Sequence, residues 1–191
     1  MEIGQSKVFI LSAPSGSGKT TLVGRVLADD PRFVFSVSAT TRPPRDYEAH
    51  GLHYYFLEEA DFREKIAQGA FLEWEEVYPG RFYGTLKAEI DRIMEAGQFP
   101  ILDIDVEGGV NVKKIYGERA VSLFIQAPGL DALRSRLKER GADSPEEMEK
   151  RLAKAEYELA FAPQFDHIIV NDNLETAVQE LKHWVRVYTE G

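Results

Sequence analysis

Apolar runs and helix-period segments alternate along this chain from end to end. "KVFILS", "FPILDIDV", "AVSLFIQAP" and "DHIIVND" are short, β-branched and almost continuously apolar, as expected of strands covered on both faces in a parallel sheet. Between them, apolar positions recur at helical spacing: Leu22, Val23, Val26 and Leu27; then Leu130, Leu133 and Leu137; then Ala177, Val178, Leu181, Trp184 and Val185. This order predicts an α/β protein, a parallel sheet with crossover helices.

The stretch from about Ser36 to Tyr83 follows another rhythm. "HYYFL" and "FLEWEEVYPGRFYG" alternate polar and apolar residues, which predicts antiparallel strands with one wet face and hence a small inserted subdomain. Farther on, "KERGADSPEEMEKRL" has Gly141 to end one helix and Ser144, Pro145 and Glu147 to start the next as N-cap, N1 proline and capping-box glutamate. Two helices joined by a short polar turn would make a mobile flap. The 191 residues suit one domain with a sizeable core and small insertions.

Composition narrows the partners. Lys and Arg number 23 against 32 Asp and Glu, and the net charge of -9 argues against broad binding to nucleic acid. A phosphate site must then concentrate its arginines locally. Without cysteine there are no disulfides, thiolate metal sites or cysteine nucleophiles. Of the four histidines only His50 and His53 are close together, which completes no metal-ligand set. No apolar run reaches the roughly 18 residues of a membrane helix, and "MEIGQSKVFILS" lacks a basic leader and a cleavage site, so the expected setting is cytoplasmic, with no membrane partner.

"VFILS" followed by "APSGSGKTTLVGRVL" reads as strand, glycine-rich loop and helix, the context that makes a phosphate-loop string a candidate site. Its cradle would comprise Ala13, Pro14, Ser15, Gly16, Ser17, Gly18, Lys19, Thr20 and Thr21. Gly16 and Gly18 let backbone N–H groups turn inward on phosphate, and the helix N-terminus adds its dipole. Lys19 would reach the β- and γ-phosphates, and the Thr20 hydroxyl would ligate Mg²⁺. Ala13 departs from the glycine that opens the general pattern, which matters only if the position needs positive φ or has no room for a Cβ. "ILDIDVEGG" supplies carboxylates at Asp103 and Asp105, with Asp103 taken as the second metal ligand. Two acids two residues apart on an apolar strand would point to the same side, which is costly unless a cation or donor sits there.

The arginines are placed in three groups. "SATTRPPRDYE" holds Arg42 and Arg45 in a proline-stiffened loop, "RSRLKERG" holds Arg136 and Arg140 one helical turn apart, and Arg151 follows on the next helix. In an acidic protein this clustering argues for anion sites.

Through "APSGSGKTT", "FSVSATTRPPRDYEAHGLHYYF", "FLEWEEVY", "FYGT", "ILDIDVEGG", "RLKERG", "RLAKAEYEL" and "IIVNDN", the chain resembles the guanylate kinases over nearly its whole length. The resemblance implies a parallel-sheet P-loop kinase core with helices on both faces, formed by residues 1–35, 86–135 and 156–191. It also implies an inserted mixed α/β GMP-binding subdomain at 36–85 and a short helical lid at 136–155. The implied reaction, part of purine nucleotide metabolism, moves the γ-phosphoryl group of ATP to GMP with Mg²⁺, giving ADP and GDP.

By the same resemblance Lys19, Arg42, Arg136, Arg140 and Arg151 carry the catalytic charge. Arg42, Arg45, Tyr54 and Tyr83 would hold the GMP phosphate, while Ser38, Glu73, Thr85 and Asp105 would read guanine. Arg136 and Arg140 also reach ATP, and Asn171 lies on its adenine side. The substrates are then the small molecules ATP and GMP, with dGMP open as an acceptor and the protein acting as monomer or homodimer.

Physical chemistry fits these roles. Guanine presents N1–H and N2–H side by side, two donors that one carboxylate such as Glu73 can accept, whereas adenine has no N1–H. A buried acid left unpaired by adenine can discriminate by about 10⁴-fold or more. No general base is needed, because the phosphate acceptor is already largely dianionic with a second pKa of about 6. The barrier is repulsion between polyanions, met by positioning and charge neutralisation.

Two other readings compete: a catalytically silent guanylate-kinase-like interaction module, and a related P-loop kinase acting on another phosphate acceptor such as a phosphorylated sugar. The intact Lys19 and Thr20 argue against the first, and the joint presence of Ser38, Glu73 and the tyrosines argues against the second. Departures from the family pattern are Ala13, Tyr47 in place of a usual glycine, a "VYPGRFYG" loop one residue longer than is common, and Glu107 in place of a frequent glutamine.

Overall fold

All five residues of Val8–Ser12 (β1) are buried, as a strand covered on both faces requires. The computed structural model describes residues 7–139 and 144–190. After β1 come helix α1 (Lys19–Asp29), strands β2 (Phe33–Phe35), β3 (Ala39–Thr40) and β4 (Tyr55–Phe56), helix α2 (Glu59–Ala67), and strands β5 (Phe71–Tyr78) and β6 (Arg81–Leu86). The chain continues through α3 (Lys87–Glu95), β7 (Phe99–Asp103), α4 (Val106–Tyr116), β8 (Ala120–Gln126), α5 (Leu130–Glu139), α6 (Pro145–Leu159), β9 (His167–Val170) and α7 (Leu174–Glu190).

The core sheet has the order β2-β7-β1-β8-β9, and every pairing in it is parallel. Leu22, Val23 and Val26 of α1 join Ala177, Val178, Leu181 and Val185 of α7 against one face. Ile90 of α3 and Val112 of α4 join the cluster on the other. The expected α/β core with helices on both faces is thus present. β1 lies between β7 and β8, and Leu11 is level with Asp103. The loop after β1 therefore opens beside the end of β7, at the carboxyl edge of a parallel sheet where ligands of such folds bind.

The second sheet, β4-β3-β6-β5, carries its own small core. Phe62 stacks on Phe71 at 4.3 Å and on Phe82 at 5.3 Å between ring centroids, so α2 is anchored by aromatic packing. The β5–β6 hairpin is antiparallel as its alternation predicts. "HYYFL" is not: β4 is two residues long and runs parallel to β3. Residues 54–57 are all half-buried and show no alternation of a buried and a wet face. Strand β2 was not expected at all.

Helix α6 starts as predicted. Ser144 accepts from the Glu147 N–H, and the Glu147 carboxylate accepts from the Ser144 N–H. Leu133 and Leu137 of α5 pack on Met148 and Leu152 of α6. Gly141, the expected helix stop, lies outside the described residues, as does Arg140.

Candidate active site

Gly18, with φ 92°, ends the loop and starts α1 as its N-cap, and Gly16 has φ 87°. A Cβ on Gly18 would strike the Asn171 side-chain amide, and one on Gly16 would press on Leu137 at 3.1 Å. Both positions therefore demand glycine by backbone conformation, and Gly18 demands it by space as well. Ala13 does not: no non-glycine residue among those described has positive φ, and Ala13 packs against the main core. The missing glycine costs the loop nothing in backbone strain.

Lys19, at the first position of α1, is ion-paired with Asp103 at the end of β7. Thr20 and Thr21 sit exposed on the first turn. From the far side Asn171 completes the loop: its side-chain amide donates to the Ser17 carbonyl at 2.7 Å, and its own backbone N–H bonds to Gln126 at 2.8 Å. Arg136 donates to the Asn171 carbonyl at 2.8 Å. Gly16, Gly18, Thr21, Arg136 and Asn171 thereby share one side cleft.

Asp105 is not a strand residue. The strand stops at Asp103, and Asp105 is the N-cap of α4, its side chain accepting from the Gly108 N–H at 2.7 Å. The expectation that both acids share one face of a strand is corrected accordingly: the chain turns between them, and helix capping satisfies Asp105. Both still line a cleft of about 420 Å³ with the phosphate loop and Arg151.

A second cleft of about 400 Å³ opens between β5 and α4, lined by Glu73, Glu75, Asp105 and Gly108. Glu73 accepts a 2.6 Å hydrogen bond from the Thr85 hydroxyl across the hairpin. Burial lifts the Glu73 pKa above the usual carboxylate range and nearby Asp105 adds to this, while Thr85 pulls the other way. An acid held like this gains from a ligand that brings hydrogen-bond donors.

Arg42, Tyr54 and Tyr83 form a separate group. The guanidinium lies 5.4 Å from the Tyr54 ring centre and 5.8 Å from that of Phe56, and Tyr54 and Tyr83 meet at 6.1 Å. Glu48, which sequence reasoning left without a role, clamps Arg42 with two 2.8 Å bonds. Arg45 is exposed and donates to the Tyr47 hydroxyl at 2.9 Å. Ser38 is half-buried, and its carbonyl accepts from the Tyr55 N–H at 2.8 Å.

Three more functional candidates escaped sequence reasoning. Glu89 of α3, buried to 3% exposure, accepts from the Val37 N–H, the Tyr55 hydroxyl and Arg92, tying both ends of the β3–β4 segment to the core. Burial alone would raise its pKa, but these donors hold it below the usual range. Lys154 and Glu158 of α6 line both clefts. Their spacing of four on a helix is a pairing signal, though it looks the same for a solvated face.

Residues 5–188 match the family model described as guanylate kinase. The chain belongs to the guanylate kinase family. It is 55% identical over 191 residues to the guanylate kinase of Bacteroides fragilis, covering 98% of this chain and 94% of that protein. It is 46% identical over 178 residues to that of Porphyromonas gingivalis, covering 93% and 95%. Among solved structures, the guanylate kinase from Anaplasma phagocytophilum superposes with a TM-score of 0.72 at 28% identity, covering 95% of this chain and 85% of that one.

The departures from the guanylate kinase pattern fall into place around this site. Tyr47 supplies a partner for Arg45. In the β5–β6 hairpin turn, Gly80 has φ 74°, its N–H donates to Glu76, and its carbonyl accepts from Thr41, so the turn is held closed by hydrogen bonds. Glu107 accepts a 2.5 Å hydrogen bond from Tyr157 of α6. Among the described residues no helix is long and apolar enough to cross a membrane.

Proposed function

We infer that the protein transfers the γ-phosphoryl group of ATP to GMP, with the phosphate loop as donor site and the β5–α4 cleft as acceptor site. The observation that carries this reading is the contact between two differently built clefts, one floored by a glycine loop and lysine, the other by a half-buried carboxylate with a hydroxyl partner. Backbone N–H groups of the loop and Lys19 would cradle the ATP phosphates. Glu73 and Thr85, with Ser38 and Asp105, would take the guanine edge. Arg42, Arg45, Tyr54 and Tyr83 would hold the GMP phosphate, and Asn171 would lie on the adenine side.

Arg136, Arg140 and Arg151 would neutralise the transferring group as residues 136–155 close over residues 36–85 and the core. Closure would also keep water from taking the phosphoryl group. Thr20 and Asp103 offer a hydroxyl and a carboxylate, oxygen donors that suit Mg²⁺. When bound there, the ion would supply positive charge to offset that of the phosphates. The setting proposed is cytoplasmic, with small-molecule substrates.

The test is ADP release from Mg-ATP with GMP, AMP, CMP, UMP and a phosphorylated sugar offered separately, the product identified by mass. GDP from GMP alone is the expected result. Nucleotide binding without turnover would favour the interaction module, and turnover of another acceptor would mean that Glu73 has been misassigned.

A further inference from the structure

Glu73 and Thr85 can meet the edge of a base in the acceptor cleft, but an edge is only part of a base. Its flat faces are π-surfaces, and a site that holds one gains from an aromatic side chain laid against it. Three aromatic residues line this cleft: Phe71, Trp74 and Tyr157. Two of them are committed elsewhere. Phe71 is buried, its ring stacked on Phe62 in the core of the second sheet. Trp74 pairs with Gly84, between Glu73 and Glu75, so strand alternation turns its side chain away from those two acids. Its ring leans on Phe82 at 6.1 Å between centroids.

Tyr157 reaches the cleft from α6, where Lys154, Tyr157 and Glu158 line it at positions i, i+3 and i+4. It is 54% exposed, and its ring meets Phe161 edge-on at 5.2 Å, which leaves aromatic surface open. The ring is nevertheless anchored. Its hydroxyl donates to Glu107 of α4 at 2.5 Å, a short bond to a charged acceptor. An ionised glutamate only accepts, whereas the glutamine frequent at this position in the family could also donate, so Glu107 fixes the direction of the bond. We propose that Tyr157 is a specificity-determining residue whose ring, anchored by Glu107, stacks on the base of the acceptor nucleotide while Glu73 takes its edge. This rests on the acceptor reading above. The ring favours the larger face of a purine over a pyrimidine, and the acid separates guanine from adenine. Because α6 also carries Arg151, a seated base would hold that helix beside the acceptor.

The test compares kcat and the KM values for GMP and ATP among the wild type, Tyr157→Leu and Tyr157→Phe. Leucine keeps apolar bulk without an aromatic face, and phenylalanine keeps the face without the anchor. The position is exposed, so both variants should fold, and the KM for ATP reports an intact donor site. Proton NMR of GMP, following the base proton at ring position 8 during titration with each protein, reports whether an aromatic ring lies over the base.

Tyr157→Leu should raise the KM for GMP by roughly five- to fiftyfold, the order expected for loss of one base–aromatic stack, with the KM for ATP held within about twofold. Tyr157→Phe should fall between leucine and the wild type. The base proton should move upfield on binding to the wild type and less on binding to the leucine variant. A residue that merely supports the fold would affect both nucleotides alike. An unchanged KM for GMP, equal rises for GMP and ATP, a phenylalanine variant as impaired as leucine, or the same proton shift with and without the ring would overturn the proposal. A wild type that ignores GMP would overturn the acceptor reading itself.

Discussion

Glu48 grips Arg42 with both carboxylate oxygens and takes a third bond, at 2.7 Å, from the Arg45 backbone N–H. One acid thus fixes both arginine-bearing ends of the turn that would meet the GMP phosphate. The Arg42 contact holds the Glu48 pKa down to about 2. Glu48→Gln should raise KM for GMP by about tenfold with a smaller change in kcat, because ground-state and transition-state binding of the phosphate weaken together.

The same pair carries a pH signature. A carboxylate depressed in the folded state stabilises it above the unfolded pKa, and that contribution is lost as pH falls through the folded value. The difference in Tm between wild type and Glu48→Gln should therefore be constant above about pH 5 and shrink toward pH 2. A gap that widened on acidification would contradict the assignment.

Glu73 has the opposite sign. Its raised pKa means that ionised Glu73 costs stability, so Glu73→Gln should melt at a higher temperature than the wild type at pH 7 to 8, with the gap closing in acid. The same change should lower kcat/KM for GMP by about 10²-fold or more while ATP affinity holds, since the amide cannot accept from both guanine donors. Equal losses for the two nucleotides would count against base reading. GMP use by the wild type should also weaken on acidification from a higher pH than an ordinary carboxylate would dictate.

Lys19→Ala should reduce kcat by at least about 10²-fold, the usual cost of losing one preorganised charge at the reacting phosphate. Asp103, left without its partner, is 26% exposed and can be hydrated, so circular dichroism should show the fold retained. A fully active variant would remove the phosphate loop from the mechanism.

Ala13→Gly would restore the general loop pattern and should bring no benefit. With kcat/KM within about twofold of the wild type, the change should still cost about 0.5–1 kcal/mol through added freedom of the unfolded chain. A marked gain in activity would show that the Cβ does obstruct the site.

The parallel core was legible because its strands are buried on both faces and so read as unbroken apolar runs, as in "VFILS" and "AVSLFIQ". β2 and β4 were not, since strands of three and two residues exist only through ladders to distant segments. The phosphate loop was legible from local spacing. Asp105 was misplaced because the turn that ends β7 is set by capping of α4 and not by the apolar run. Glu48 and Glu158 resemble surface acids in sequence, and only the packing of a loop and a helix onto their partners buries them. Glu89 is hidden for the same reason.

The bond from Asn171 to Ser17 joins residues 154 positions apart. The residue that follows the last strand of the core thus bonds to the first loop. The contact cannot form until the 153 residues between have been made. During synthesis the amino-terminal portion emerges with its glycines and lysine in order, yet it should not retain nucleotide until the segment bearing Asn171 has left the ribosome and docked beside β8.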